Sequence, residues 1–267
     1  MGIPHPSPQS RAVVTGASSG IGMALARELA SRGYGLILVA RRGEVLEELA
    51  GELRAQHGTA VEVRAVDLSD PTAVTVLCGE LSGREISILA NNAGVATFGP
   101  LAELDAAYEQ AQVRLNVNAV HDLTLAVLPQ MVARGGGGIL MVGSAAGNMP
   151  IPNNATYAAT KAFVNTFSES LRVEVADAGV HITLLAPGPV RTHTPDADEA
   201  STVDAAVPDF LWHDTTKVAK MSLDALGRNK MRVVPGILSK AMSVAGGYSP
   251  RKITAPIVGA FYRKLGD

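Results

Sequence analysis

The chain has one cysteine in 267 residues, Cys78. A single thiol forms no internal disulfide, and with no short-spaced Cys/His cluster near it the sequence offers no structural zinc site. Cys78 falls in TAVTVLCGEL, where the pattern predicts a buried helix position. An excess of one charge is also missing: 23 Lys and Arg stand against 25 Asp and Glu, a formal net charge of −2. The basic residues are dispersed, so there is no field to attract a phosphate backbone, and nucleic acid is not an expected partner. Long apolar runs are absent as well. No stretch approaches the ~18 uninterrupted apolar residues of a membrane span. The opening MGIPHPSPQS carries three prolines and no apolar signal-peptide core. A cytoplasmic enzyme or small-molecule binding protein is the expectation.

What is present is core-forming material, 47% hydrophobic and 18% charged, enough for one domain of open-sheet size. Residues 1–10 read as a flexible tail and 11–267 as a single domain. Short apolar runs recur at RAVVT (11–15), GLILVA (35–40), AVEVRAV (60–66), ISILA (86–90), GILMVG (138–143), HITLLA (181–186) and MRVVP (231–235). Between them lie segments of period near 3.6, such as IGMALARELASRG and EVLEELAGELRAQHG. Strand, helix, strand at this spacing predicts βαβ units and a doubly wound parallel α/β sheet of seven strands with helices on both faces. The glycines at 135–138 read as a helix-to-strand turn, and no Gly-Lys-Ser/Thr follows to make a P-loop.

In an open α/β sheet, ligands bind beyond the carboxyl ends of the strands. The first such turn is TGASSGIG, in which Gly16, Gly20 and Gly22 permit a tight bend and close approach of backbone to a pyrophosphate. It follows a strand and opens a helix, the context that a dinucleotide site requires. The second strand ends Val39-Ala40-Arg41-Arg42. A carboxylate there would suit the ribose of NAD; an arginine suits a 2′-phosphate, so Arg41 points to NADP, with Glu44 nearby leaving room for NAD. The third strand ends in VDLSD with Asp67, which alternatively caps the helix near Pro71, and the fourth in LANNAG with Asn91 and Gly94. GSAAG brings Ser144 after the fifth, and APGPVRT brings Pro187, Gly188 and Thr192 after the sixth.

The stretch YAATK places Tyr157 and Lys161 four positions apart in a helical pattern, hence on one face with Cβ atoms roughly 6 Å apart. An ammonium beside a phenol stabilises phenolate and makes it a usable acid/base at neutral pH. His57, His121 and His181 have no metal or triad spacing, while His193 and His213 remain open.

TGASSGIG, NNAG, Ser144, YAATK and PGPVRT, in this order, resemble the short-chain dehydrogenase/reductase family over about residues 11–235. The resemblance implies a Rossmann-type fold and an NADP(H)-dependent oxidoreductase acting on a carbonyl or secondary alcohol. It further implies Tyr157 as acid/base, Lys161 as its activator and cofactor anchor, and Ser144 as the carbonyl-orienting hydroxyl. Asn116 in RLNVNAV aligns with the holder of a proton-relay water, with Asn118 as runner-up. For cofactor contacts it implies Gly16, Ser18, Ser19, Gly20, Ile21, Gly22, Arg41, Asp67, Leu68, Asn91, Ala93, Gly94, Tyr157, Lys161, Pro187, Gly188, Val190 and Thr192, with no metal.

Two other readings stand beside it: a dinucleotide-binding regulatory protein without turnover, and a dehydratase or epimerase. The complete set Asn116, Ser144, Tyr157 and Lys161 argues against a silent sensor, and no extra acid/base motif supports the latter. The segment 193–213 reads as a substrate lid and ITAPIVGAFYRKL (253–265) as a solvated amphipathic helix packed on the domain, with a pocket wall, a subunit contact or a membrane-surface helix as alternatives. The resemblance also implies that the Ala-, Val- and Leu-rich stretches 105–134 and 155–178 pair between subunits in a homodimer or homotetramer.

Overall fold

The computed structural model describes residues 2–188 and 214–236. Seven strands form one parallel sheet in the order β3-β2-β1-β4-β5-β6-β7. They are β1 (Arg11–Thr15), β2 (Leu36–Ala40), β3 (Val61–Ala65), β4 (Ile86–Asn91), β5 (Gly137–Val142), β6 (Val180–Leu185) and β7 (Arg232–Val233). The apolar runs are unbroken rather than alternating because the central strands are covered on both faces. Every residue of β2, β4 and β5 is buried, whereas the edge strand β3 is only partly covered along most of its length.

The pleat divides these side chains between two cores. Ala12, Val14, Leu36 and Leu38 face α1 (Gly20–Ser31), α2 (Gly43–His57) and α7 (Thr215–Gly227). Val13, Ile37, Val39 and Leu89 face α3 (Pro71–Ser82), α5 (Ala119–Arg134) and α6 (Ala155–Glu174). Burying such strands at ~25 cal/mol per Å² makes the sheet the rigid part of the molecule. The chain winds away from β1 in both directions, so the strand order reverses between β1 and β4, the place where such sheets form a ligand crevice.

Helix starts follow local chemistry. Asp70, Asp105 and Asp214 each accept a hydrogen bond from a first-turn amide of α3, α4 (Ala106–Val113) and α7, respectively. Thus Asp70, not Asp67, caps the helix at Pro71. Helix α1 differs, for Ser19 caps none of its amides through the side chain. The stretch expected as one helix over 105–134 is α4, a π-helical turn at Arg114–Asn118 and α5. Strand β5 begins at Gly137, one residue before the expected start, because Gly135 alone takes the left-handed cap at φ 70°.

Residues 2–10, expected as a flexible tail, lie against the amino ends of the strands. Ile3 packs on the core beneath α1, and Tyr34 donates its hydroxyl to Pro4 O at 3.0 Å. Cys78 on α3 is half-buried, and its thiol pKa is raised by burial and the Asp122 charge. Among the described residues no helix is long and apolar enough to cross a membrane. The expected lid at 193–213 and the amphipathic helix at 253–265 lie outside the described residues, as do His193 and His213.

Candidate active site

The glycine turn between β1 and α1 is held by the residues just beyond β4. Gly16 has φ +65°, which disfavours a side chain, and a Cβ on Gly22 would overlap the Gly16 carbonyl oxygen. Asn92 donates Nδ2 to Thr15 O at 2.8 Å, while Thr15 Oγ1 accepts from the amides of Asn92 and Ala93 at 2.9 and 3.0 Å. The turn leaves the uncapped amides of α1 facing the crevice, where a helix N-terminus attracts an anion.

Here the structure separates two neighbours. Asn91, expected at the cofactor, turns its side chain into the core and donates to Thr124 Oγ1 at 3.0 Å. Only its backbone remains for a ligand. The NNAG pattern alone does not reveal that Asn92, not Asn91, faces the glycine turn; strand alternation from a fixed register does.

At the carboxyl end of β2, Arg41 is exposed and Ala40 buried. The adjacent Arg42 folds back on the glycine turn, donating to Ser18 Oγ at 3.1 and 3.3 Å and to Ser18 O at 3.1 Å. Across from them stands Asp67, which accepts from Ser69 N and Oγ, each at 2.8 Å. Burial opposes its charge, but the Ser69 bonds and the Arg41 and Arg114 guanidiniums hold its pKa below the ordinary value. Leu68 beside it is buried.

Helix α6 crosses β5 and β6 so that Lys161 enters the sheet end. Its Nζ is buried, donates to Val142 O at 2.9 Å, and lies 5.7 Å from the centroid of the Tyr157 ring. Loss of hydration brings the Lys161 pKa down to about 8, still protonated at neutral pH. Tyr157 is half-buried one turn earlier. Ser144 follows β5, is buried, and accepts the Ala146 amide on Oγ at 3.1 Å. A Cβ on Gly147 would overlap the Lys161 backbone, so the turn that carries Ser144 packs directly on the helix that carries the Tyr-Lys pair.

Asn116 sits in the π-helical turn and is fully buried, whereas Asn118 is exposed. Its Oδ1 accepts from Val95 N at 3.0 Å, and its Nδ2 donates to Val95 O at 2.8 Å and Thr160 Oγ1 at 3.1 Å. Single π turns inside helices concentrate at functional sites. Gly94 joins the two: a Cβ there would lie 3.2 Å from both Asn116 Oδ1 and Lys161 Nζ. Pro187 and Gly188 close the crevice beyond β6, while Val190 and Thr192 lie outside the described residues.

The family model for short chain dehydrogenases matches residues 10–202. The chain belongs to the short-chain dehydrogenase/reductase family. It is 38% identical over 208 residues to sulfoacetaldehyde reductase 2 of Chromohalobacter salexigens, covering 76% of this chain and 81% of that one. Among solved structures it matches a short-chain dehydrogenase from Sphingobium yanoikuyae in complex with NADPH, with a TM-score of 0.80 at 30% identity over 92% of this chain and 95% of that one. It also matches L-sorbose reductase from Gluconobacter frateurii, complexed with NADPH and L-sorbose, with a TM-score of 0.74 at 27% identity over 87% and 97% of the two chains. As a short-chain dehydrogenase/reductase the chain is an oxidoreductase built on a seven-stranded Rossmann-type sheet.

Proposed function

We propose that the chain interconverts a carbonyl compound and the corresponding alcohol with NADP(H), using Tyr157 as acid/base, Lys161 as its activator and Ser144 as the carbonyl-orienting hydroxyl. The observation that carries this reading is the buried Lys161 ammonium held 5.7 Å from the Tyr157 ring centroid, at the end of the sheet where Ser144 also emerges. The residues fit the cofactor. Gly16 and Gly22 leave no room for a Cβ, the amides of α1 are uncapped by side chains, and Arg41 stands exposed where a 2′-phosphate would be gripped by charge-assisted hydrogen bonds. Ser18, Ser19, Gly20 and Ile21 would contact the phosphates, Asp67 and Leu68 the base, and Ala93, Gly94, Pro187 and Gly188 the nicotinamide half. Lys161 would hold the nicotinamide ribose.

When bound, the cofactor supplies the hydride that the carbonyl carbon receives. Ser144 Oγ donates to the carbonyl oxygen, and Tyr157 transfers its proton to that oxygen as negative charge gathers there. The Lys161 ammonium stabilises the phenolate left behind, at a gain of about 1.4 kcal/mol for each tenfold shift in its protonation. In the oxidising direction the same phenol takes the alcohol proton. The side chain of Asn116 is committed to Val95 and Thr160, so its backbone carbonyl is the group that would hold a relay water.

A homodimer or homotetramer paired through α5 and α6 accompanies this reading. These helices expose Leu125, Val132, Phe163 and Val173, and Phe163 stacks on Phe167 at 5.5 Å. The test of function is a panel of aldehydes, ketones and secondary alcohols, including sulfoacetaldehyde and L-sorbose, followed by absorbance of reduced nicotinamide. Turnover with NADPH is expected, and its absence across the panel would sink the proposal.

A further inference from the structure

The ladder between β4 and β5 ends at the pair Asn91–Met141, three residues before Ser144. On the other side the chain keeps its partner: Gly143 N donates to Leu185 O at 2.8 Å and Ala145 N to Pro187 O at 3.2 Å. In an extended chain, alternate residues direct their backbone groups to opposite sides. The N–H and C=O of Ser144 therefore turn toward the β4 side, where the strand has ended. Ser144 O also accepts from Gly147 N at 3.2 Å, but the buried Ser144 N–H, left there, would carry the full cost of an unmade hydrogen bond.

Asn165 on α6, one turn beyond Lys161, meets both of them. Its Oδ1 accepts from Ser144 N at 3.4 Å, and its Nδ2 donates to Ser144 O at 3.0 Å. The second Nδ2 proton goes to Asn148 Oδ1 at 3.1 Å, which Arg232 of β7 also reaches at 3.0 Å. Asn165 is 4% exposed. A Cβ on Gly143 would overlap Asn165 Oδ1, so the glycine before Ser144 makes the space that the amide occupies. A primary amide offers a donor and an acceptor in the geometry of a peptide; aspartate offers no donor and leucine neither.

We propose that Asn165 is a positioning residue that completes the β4 side of the sheet for one residue and thereby fixes where the Ser144 hydroxyl points. The inference rests on the reading of Ser144 as the carbonyl-orienting group. It assigns to α6 a third duty besides presenting Tyr157 and Lys161, so that all three groups are referenced to one rigid helix.

The test uses the full chain, NADPH and the carbonyl substrate of the panel that turns over fastest. Asn165→Leu, close in volume, is expected to lower kcat roughly tenfold to hundredfold, the scale for a small misplacement of a reacting group, with KM for NADPH unchanged. Asn165→Asp should act in the same direction. In a Ser144→Ala background, Asn165→Leu should cost little more, since there is no hydroxyl left to aim. Hydrogen exchange read by mass spectrometry, which needs no substrate, should show faster exchange over residues 142–149 in Asn165→Leu, with the distant strands β1 to β3 unaltered. Wild-type turnover in Asn165→Leu alongside lost turnover in Ser144→Ala would overturn the inference alone, as would full additivity of the two losses or unaltered exchange over 142–149. Wild-type turnover in Ser144→Ala would overturn the role of Ser144 and this inference with it.

Discussion

Replacing Lys161 by methionine should make the protein more stable and inactive at once. The ammonium is fully buried, and bringing its pKa from 10.5 to about 8 costs the folded state about 3 kcal/mol at neutral pH. Methionine keeps the unbranched apolar stem and drops the charge. The loss is the charge-assisted hydrogen bond to Val142 O, whose removal leaves a buried carbonyl unpaired, about 2 kcal/mol. The net gain is therefore about 1 kcal/mol, which for a chain of this size raises the melting temperature by roughly 2–4 °C. Circular dichroism melts of cofactor-free protein at pH 7 measure it. The pH dependence fixes the cause. Because the folded pKa lies below the unfolded one, the penalty is full below pH 8. As pH rises from about 8 toward 10.5, the folded lysine releases its proton before the unfolded one, and wild-type stability climbs toward that of the variant. A Lys161→Met protein that melts at or below the wild-type temperature at pH 7, or a gap that stays constant up to pH 10, would refute the reasoning. Turnover should be lost in the same variant, together with affinity for NADPH.

Tyr157→Phe removes only the transferable proton, so kcat should fall by about 10³-fold while NADPH still binds, as read by quenching of protein fluorescence. Arg41→Ala should raise KM for NADPH far more than for NADH, and Ala40→Asp should favour NADH; equal wild-type efficiency with both cofactors would show that the 2′-phosphate is not read at this edge. At the outer edge of the sheet, the hydrogen bonds and charge of Arg84, aided by Arg11 and Arg64, hold the Glu62 pKa at about 2 despite partial burial. That stability is complete above the ordinary carboxylate value and is lost as pH falls through about 2, so Glu62→Gln should flatten acid unfolding below pH 4, measured by circular dichroism. Light scattering at micromolar concentration should give a dimer or tetramer, and a monomer would dispose of pairing through α5 and α6.

Much of the candidate site was legible in one dimension because its parts are local. A glycine turn between a strand and a helix is a backbone requirement of a few adjacent residues, and two side chains four apart on a helix share a face wherever that helix goes. The seven apolar runs likewise specify a parallel sheet, since only strands covered on both sides can be apolar throughout. Direction and burial were not legible. Asn91 and Asn92 differ by one residue and face opposite ways, a distinction set by register against β1 and β5. The burial of Lys161 is set only by the crossing of α6 over β5, which removes its water and lowers its pKa. The aim of Ser144 depends on an amide 21 residues away, because that amide stands where a strand has run out. Contacts within a turn of helix are written in sequence spacing; contacts between elements exist only once the sheet order has brought them together.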